Sequence, residues 1–339
     1  MPRQYFNLNH AILKRFSLMK RLVVFTLGMV ALLQTHAVFA MQVASGSLLR
    51  IAQFPSEYVQ PKDVFIWLPE HYNAHTKFAV LYMHDAQMLF DATTTWNKQE
   101  WQVDEVASAL MKSGKTRDFI VVASTNGDYQ GGTRRSSEYF PQGALAYLSD
   151  KDKRAILSQK RSNGQAVFAN GEIQSDNYLS FLTKELKPYI DRTFSVHTDA
   201  ANTALMGSSM GGLISWYGLA EYPDVFGAAA CISTHWPGAI PHEGNPLPKA
   251  FTAYLRDRLP KPNQQGEGNT ALAHRIYFSL GTETLDKYYP PLQKNIDKLM
   301  IKLGYTEKHW QTALFEGDAH DEVSWAKRLP NAMTFLFGN

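Results

Sequence analysis

The stretch Thr203-Ala204-Leu205-Met206-Gly207-Ser208-Ser209-Met210-Gly211-Gly212-Leu213-Ile214 decides the fold. Its first four residues are an apolar run, the next five read G-x-S-x-G, and the rest continue as apolar, helix-like sequence to Tyr217. A strand, a sharp turn and a helix form the setting in which this pattern raises a serine hydroxyl above a sheet edge. The expectation is a turn so tight that Gly207 and Gly211 must both be glycine, with Ser209 at its apex.

On either side of this turn, apolar β-rich runs alternate with helical patterns. The runs fall at 48–54, 64–68, 78–83, 119–123, 203–206, 226–232, 275–280 and 311–315. Helical spacing occupies 101–111, 178–190, 210–221, 286–303 and 323–335. Alternation of this kind implies a mostly parallel central sheet of about eight strands with helices on both faces. The first runs have no helix between them, which suits an antiparallel start. Two segments interrupt the rhythm. Residues 126–176 are polar and without strand signal, as expected of an excursion overhanging a ligand site. The loop 233–248 leaves the strand containing Cys231 at the sheet edge where ligands bind in such folds.

Composition narrows the function classes. Hydrophobic residues at 45% and aromatic residues at 12% supply a large core, and charged residues at 19% exclude a disordered polyelectrolyte. The formal charge of +3 is misleading, because Arg3, Lys14, Arg15, Lys20 and Arg21 lie in residues 1–40, which contain no acid. Removing those five charges from +3 leaves −2, and a near-neutral body argues against nucleic acid as partner. Residues 1–40 read as an export signal: Lys20-Arg21, then an uncharged, mostly apolar run to Leu33, then Val38-Phe39-Ala40. Met19 makes the more typical start. That run is too short to span a bilayer comfortably, so no stable membrane anchor is expected and the body, 41–339, is exported to the periplasm or beyond as one domain. The single cysteine, Cys231, excludes an internal disulfide or a multi-cysteine metal site and reads as a core thiol.

A serine hydroxyl needs a base to take its proton and a carboxylate to orient that base. Behind a G-x-S-x-G elbow the acid and the histidine follow in that chain order, on loops after later strands. His320 lies in Gly317-Asp318-Ala319-His320, after the last strand and before the last helix. The acid is Asp286 or, three residues earlier in the same loop, Glu283; Asp286 also stands where a helix N-cap would. Asp318 and Asp321 are too close in sequence to reach behind the histidine. Donors to a developing oxyanion are expected from the Met210 N–H and from the loop after the third strand, at Gln87 or its neighbour Ala86.

On these residues the chain resembles the "putative esterase" family of α/β-hydrolases, which includes esterase D, enterochelin-type siderophore esterases, feruloyl and acetyl-xylan esterases and the mycolyltransferases. The resemblance runs from Leu48 to Phe337 and rests on several motifs. They are His84-Asp85-Ala86-Gln87 with Leu89-Phe90-Asp91, Arg135-Ser136-Ser137-Glu138-Tyr139 with Pro141, Gly207–Gly212, Ser233-Thr234-His235-Trp236, Gly281–Asp286 and Gly317–Trp325. The elbow and histidine segments are the specific ones. Where the family usually has Gly after the aspartate of the third-strand loop, this chain has Ala86. The resemblance implies an α/β-hydrolase fold and a serine esterase acting through an acyl-enzyme, with no metal and no organic cofactor. Its substrate is a small-molecule or saccharide ester. The rival expectations are acyl transfer to an alcohol or sugar on the same scaffold, and a catalytically inactive binding protein of this fold.

Three further residues are candidates for substrate binding. Arg135 lines the pocket or forms a local ion pair with Glu138. His235 and Trp236 form a pocket wall or simply pack beneath the loop. Trp96 and Trp101 are expected to pack in the core or at a helix start. His71 and His75 lack the pattern of a metal site. Oligomeric state is not readable from the sequence.

Overall fold

A computed structural model describes residues 41–127, 133–262 and 274–338. The expected export signal and Met19, and residues 128–132 of the overhanging segment, lie outside the described residues.

Eight strands form one sheet: β1 (Ser47–Phe54), β2 (Lys62–Leu68), β3 (Ala79–His84), β4 (Phe119–Ser124), β5 (Thr203–Ser208), β6 (Ala228–Ile232), β7 (Arg275–Gly281) and β8 (Trp310–Phe315). Their order is β1-β2-β4-β3-β5-β6-β7-β8. β2 runs antiparallel to both its neighbours, and every pairing from β4 to β8 is parallel. The central strands are buried along their whole length, as continuous apolar runs covered on both faces should be.

The described helices are α1 (Val103–Lys112), α2 (Thr133–Tyr139), α3 (Asp150–Leu157), α4 (Ser175–Ser180), α5 (Lys187–Thr193), α6 (Met210–Glu221), α7 (Leu247–Arg258), α8 (Pro290–Lys302) and α9 (Glu322–Phe337). A π turn, Phe181–Leu186, joins α4 to α5. Because side chains alternate across a strand, Val64, Ile66, Val80, Tyr82 and Leu205 face one way, onto α2 and α4 to α8. Phe65, Trp67, Leu81, Met83 and Met206 face the other, onto α1 and α9. Cys231 is buried in β6.

Two helices, α2 and α3, stand in the segment that reads as irregular chain, and α7 stands where the sequence reading names no element. α2, with the sequence TRRSSEY, carries no apolar stripe, yet buries Ser136, Ser137, Glu138 and Tyr139 in a polar network. α8 begins at Pro290 rather than at Asp286, which sits instead in a short 3-10 turn, Asp286–Tyr288. Among the described residues no helix is long and apolar enough to cross a membrane.

Candidate active site

Because β3 to β8 run parallel, their carboxyl ends share one rim. The loops there carry Asp85 to Gln87, Ser209, Ser233 to Trp236, Thr282 to Asp286 and Gly317 to His320.

Ser209 sits between β5 and α6 at φ 55° and ψ −117°, a conformation that non-glycine residues rarely adopt. Four backbone contacts hold it there, among them one from Leu213 N to the Ser209 carbonyl at 3.3 Å. Its N–H donates to Ile232 O at 2.9 Å, and its carbonyl accepts from Gly212 N at 3.1 Å and from His235 N at 3.1 Å. A Cβ on Gly207 would lie 2.8 Å from Gly211 C and O and from His84 Cδ2, so this position admits no side chain. The expectation of the same restriction at Gly211 is corrected: a Cβ there meets Asp85 Oδ2 at 3.5 Å and His84 Cβ at 3.7 Å, ordinary contact.

Around the acid, contacts are made by side chains. Asp286 is fully buried; its Oδ1 lies 2.6 Å from His320 Nδ1. A carboxylate accepts only, so Nδ1–H is the donor, and in the neutral ring Nε2 carries the lone pair. Asp286 Oδ2 accepts from Ser233 Oγ at 2.6 Å, from the Gly281 N–H at 2.6 Å and from Arg328 Nη1 at 3.3 Å. Burial alone would raise this carboxyl. The His320 hydrogen bond and charge, with the Ser233 and Gly281 donors, outweigh it and hold Asp286 below the ordinary aspartate range. Glu283 is exposed, with its N–H donating to Asp318 O, so the imidazole meets Asp286 and not Glu283. The imidazole also packs edge-on against Trp325 and Tyr289, with ring centres 5.0 and 5.8 Å away.

The acid and histidine loops are sewn together. Gly317 N donates to Thr282 Oγ1 at 2.9 Å and His320 N to Thr284 Oγ1 at 2.8 Å, while Asp318 O accepts from the Thr282 and Glu283 N–H groups. A Cβ on Gly281 would overlap that Asp318 carbonyl, so the approach depends on glycine. Asp321 caps α9, accepting from Ser324 N.

His235 is partly buried with both ring nitrogens engaged. Nε2–H donates to Ala239 O at 2.9 Å, and Nδ1 accepts from Tyr289 OH at 2.7 Å. Burial depresses it to about 4, against the Ala239 hydrogen bond and aided by the positive charges of His320 and Arg135. A neutral ring with no free nitrogen is a poor base, and it links the Ser209 carbonyl to the acid loop. Trp236 is buried, stacked on Trp216 at 6.2 Å and donating to Gln293 Oε1. It therefore packs rather than forming a wall around Ser209. It lines a hollow of about 450 Å³ between α7 and α8 whose lining includes neither Ser209 nor His320.

Arg135 and Glu138 do not pair with each other, which corrects the local ion-pair reading. Arg135 makes a bidentate contact with Asp85, at 2.8 and 2.7 Å, and reaches Ser208 O at 3.2 Å. Glu138 lies 2.6 Å from Lys62 Nζ in a buried pair. Burial would raise Asp85, but the Arg135 charge and hydrogen bonds, with the Asn126 amide, hold it low. Asp85 has φ 60°, and a short 3-10 turn, Ala86–Met88, follows it. The left-handed residue is thus Asp85 and not Ala86, so alanine in place of the family's usual glycine meets no conformational conflict. The first ring-closing donor of this turn is Met88 N, to Asp85 O, which leaves the Ala86 and Gln87 N–H groups ahead of the turn's own ladder. Gln87 Oε1 accepts from Asn126 N at 3.4 Å. The Met210 N–H opens α6, in the first turn, which has no intrahelical acceptors.

The sequence reading did not single out Arg328, and it named Ser233 only within a motif, without a role. Arg328 is wholly buried beneath Asp286. Its signal was an arginine within the apolar stripe Trp325, Leu329, Ala332, Leu336 of α9. Ser233 stands at φ 45°, and its contact with Asp286 has no local signal beyond that motif. Of the tryptophans expected to pack, Trp101 lies against Trp325, whereas Trp96 is 74% exposed. Among the described residues no group of three or more His, Cys, Asp or Glu side chains is placed to hold a metal ion.

A single mixed sheet with one reversed strand, an elbow after β5 and polar loops after β7 and β8 define an α/β-hydrolase fold. Comparison with known proteins agrees. The family described as "Putative esterase" matches residues 57–150 and 137–336, and the chain belongs to it. The uncharacterized protein YbbA of Bacillus subtilis (strain 168) is 25% identical over 168 residues, 48% of this chain and 60% of that protein. The match thus spans less than two thirds of that relative. A CE1 ferulic acid esterase from the anaerobic fungus Anaeromyces mucronatus superposes with a TM-score of 0.54 at 18% identity, covering 87% of this chain and 92% of that one. The enterobactin esterase of Shigella flexneri superposes with a TM-score of 0.56 at 16% identity, covering 88% of this chain and 61% of that one. At these identities the two structures are alike in fold.

Proposed function

We propose that this protein hydrolyses a carboxylic ester through an acyl-enzyme, with Ser209 as nucleophile, His320 as general base and Asp286 as the acid that orients it. Ser209 Oγ attacks the acyl carbon as its proton passes to His320 Nε2. The proton then goes to the departing alcohol oxygen, and water, deprotonated by the same nitrogen, releases the acid. The N–H groups of Met210 and Gln87 receive the oxyanion. Arg135, fixed by Asp85 beside Ser208, presents a partly exposed guanidinium to a small-molecule or saccharide ester. Export through residues 1–40 belongs to this reading.

The observation that carries it is the 2.6 Å contact between His320 Nδ1 and a buried, four-fold hydrogen-bonded Asp286, on the rim that holds the strained Ser209. Among the described residues Ser209 Oγ makes no hydrogen bond to the imidazole. Catalytic hydrogen bonds of unliganded enzymes often tighten only with substrate bound. The test is Ser209→Ala. The expected result is complete loss of fluorophosphonate labelling and a fall of about 10⁴-fold or more in p-nitrophenyl acetate hydrolysis. Labelling that persisted on the variant would overturn the assignment.

A further inference from the structure

A wholly buried guanidinium must have its charge matched nearby. Arg328 has two anionic partners. Its Nε donates to Asp318 Oδ2 at 2.9 Å, and its Nη1 donates to Asp286 Oδ2 at 3.3 Å and to Ser233 Oγ at 2.9 Å. Its Nη2 reaches Ala319 O at 3.3 Å, one residue before His320. With Ser209, His320 and Asp286 in the roles proposed above, we propose that Arg328 is a positioning residue that divides its charge between Asp286 and Asp318. Asp318, which does not touch the imidazole, thereby governs how anionic Asp286 remains toward it.

The chemistry requires such a division. Asp286 stabilises the imidazolium formed when His320 takes the Ser209 proton. A buried arginine paired with Asp286 alone would cancel that negative charge. The shorter contact to Asp318 draws the cation away, and Ser233 uses its one hydroxyl proton on Asp286 while accepting from Arg328 and from Trp325 Nε1 at 3.1 Å. The side chain of Asp318 is 14% exposed, with Lys327 Nζ at 3.9 Å, so the far end of this chain of contacts opens toward water.

The other titratable and charged groups around the imidazole are Tyr289 from the acid loop, His235 from the loop after β6, the Asp85–Arg135 pair, and Asp321 and Glu322 at the start of α9. Tyr289 and His235 bond each other, Asp321 caps α9, and Glu322 accepts from Asn97. Among the described residues, Asp318 is the carboxylate tied to Asp286 through Arg328.

The test is the pH profile of kcat/KM for p-nitrophenyl acetate, with kcat and KM measured separately. Asp318→Asn leaves the Arg328 charge on Asp286. It should lower kcat about tenfold with KM unchanged and move the acid limb to lower pH by about one unit. Arg328→Met removes the cation and should move the limb up by a similar amount. The double variant should return it close to wild type. Asp321→Asn, which changes a charge next to His320 in sequence but outside the Arg328 contacts, should move it by less than half as much as Asp318→Asn. An unmoved limb in Asp318→Asn, movement in the same direction in both single variants, or an equal shift in Asp321→Asn overturns the proposal. If Arg328→Met does not fold, Asp318→Asn against Asp321→Asn decides. Ser209→Ala labelling tests the triad separately: loss of labelling together with an unmoved limb defeats this inference alone, whereas persistent labelling defeats the catalytic reading.

Discussion

The two halves of the site are built by different means. On the side of β7 and β8, order comes from side chains: Asp286 is held by four donors, Arg328 lies buried beneath it, and threonine hydroxyls bind one loop to the other. On the side of β3 and β5 it comes from backbone shape, with Asp85 at φ 60° and Ser209 at φ 55°, each costing roughly 1–3 kcal/mol. The first half depends chiefly on the contacts its side chains make, around the glycine required at 281, and the second chiefly on backbone shape, around the glycine required at 207. Substitutions that touch only one half separate the two.

The largest expected effect falls on the backbone half. Gly207→Ala drives a methyl against Gly211 and His84, and should reduce kcat/KM by about 100-fold and lower the urea midpoint. Gly211→Ala, two residues beyond the nucleophile, should stay within about threefold of wild type, because only ordinary contacts await its methyl. Equal losses in both variants would show that the restriction does not lie at Gly207. An intermediate effect is expected on the charge half. Ser233→Ala removes one donor from Asp286 and the acceptor shared by Arg328 Nη1 and Trp325 Nε1, and should lower kcat at least about tenfold with KM unchanged. A wild-type kcat would mean the remaining donors suffice to hold the acid.

The smallest effect on rate, but a clear one on stability, concerns His84 beneath the elbow. Burial depresses this imidazole to about 4; the nearby Asp85 charge opposes the shift and Arg135 assists it. Its Nδ1 contacts Tyr178 OH at 2.8 Å, and Nε2 has no hydrogen-bond partner among the described residues. The unfolded chain takes up this proton near pH 6.5 and the folded chain does not. The contribution is therefore complete above about pH 6.5 and is lost as pH falls toward 4, about 3 kcal/mol in all. Thermal midpoints measured from pH 7 to 4.5 should fall less steeply in His84→Gln than in wild type. His235, depressed in the same way, adds to the slope that remains, and Glu105, raised to about 7 chiefly by burial, opposes it. Parallel curves would remove His84 from the account.

The same contrast explains what the sequence makes legible. Strands buried on both faces are continuous apolar runs, and the elbow is a local pattern, so both can be read directly from residues 203–217. The pairing of Asp286 with His320 in preference to Glu283 depends on how a loop turns after Gly281, which no local pattern encodes. α2 is short and polar because it faces a buried polar network, so its helix lacks an apolar period. α7 differs: Leu247, Ala250, Phe251, Tyr254 and Leu255 carry full helical spacing, with Pro248 in the first turn, a signal present in the sequence. Arg328 shows as a charge on an apolar face, but its partners come from three other loops and become visible only in three dimensions.

The stitching of Thr282 and Thr284 to Gly317 and His320, through a gap that glycine at 281 keeps open, makes two distant pieces of chain a single mechanical part. Recombination between relatives that exchanged one piece without the other would keep these backbone-directed ties only where the acid loop still brings a glycine and two threonines. The smallest transferable cassette for this chemistry is therefore discontinuous, and its sequence requirement is carried by the acid loop, at Gly281, Thr282 and Thr284.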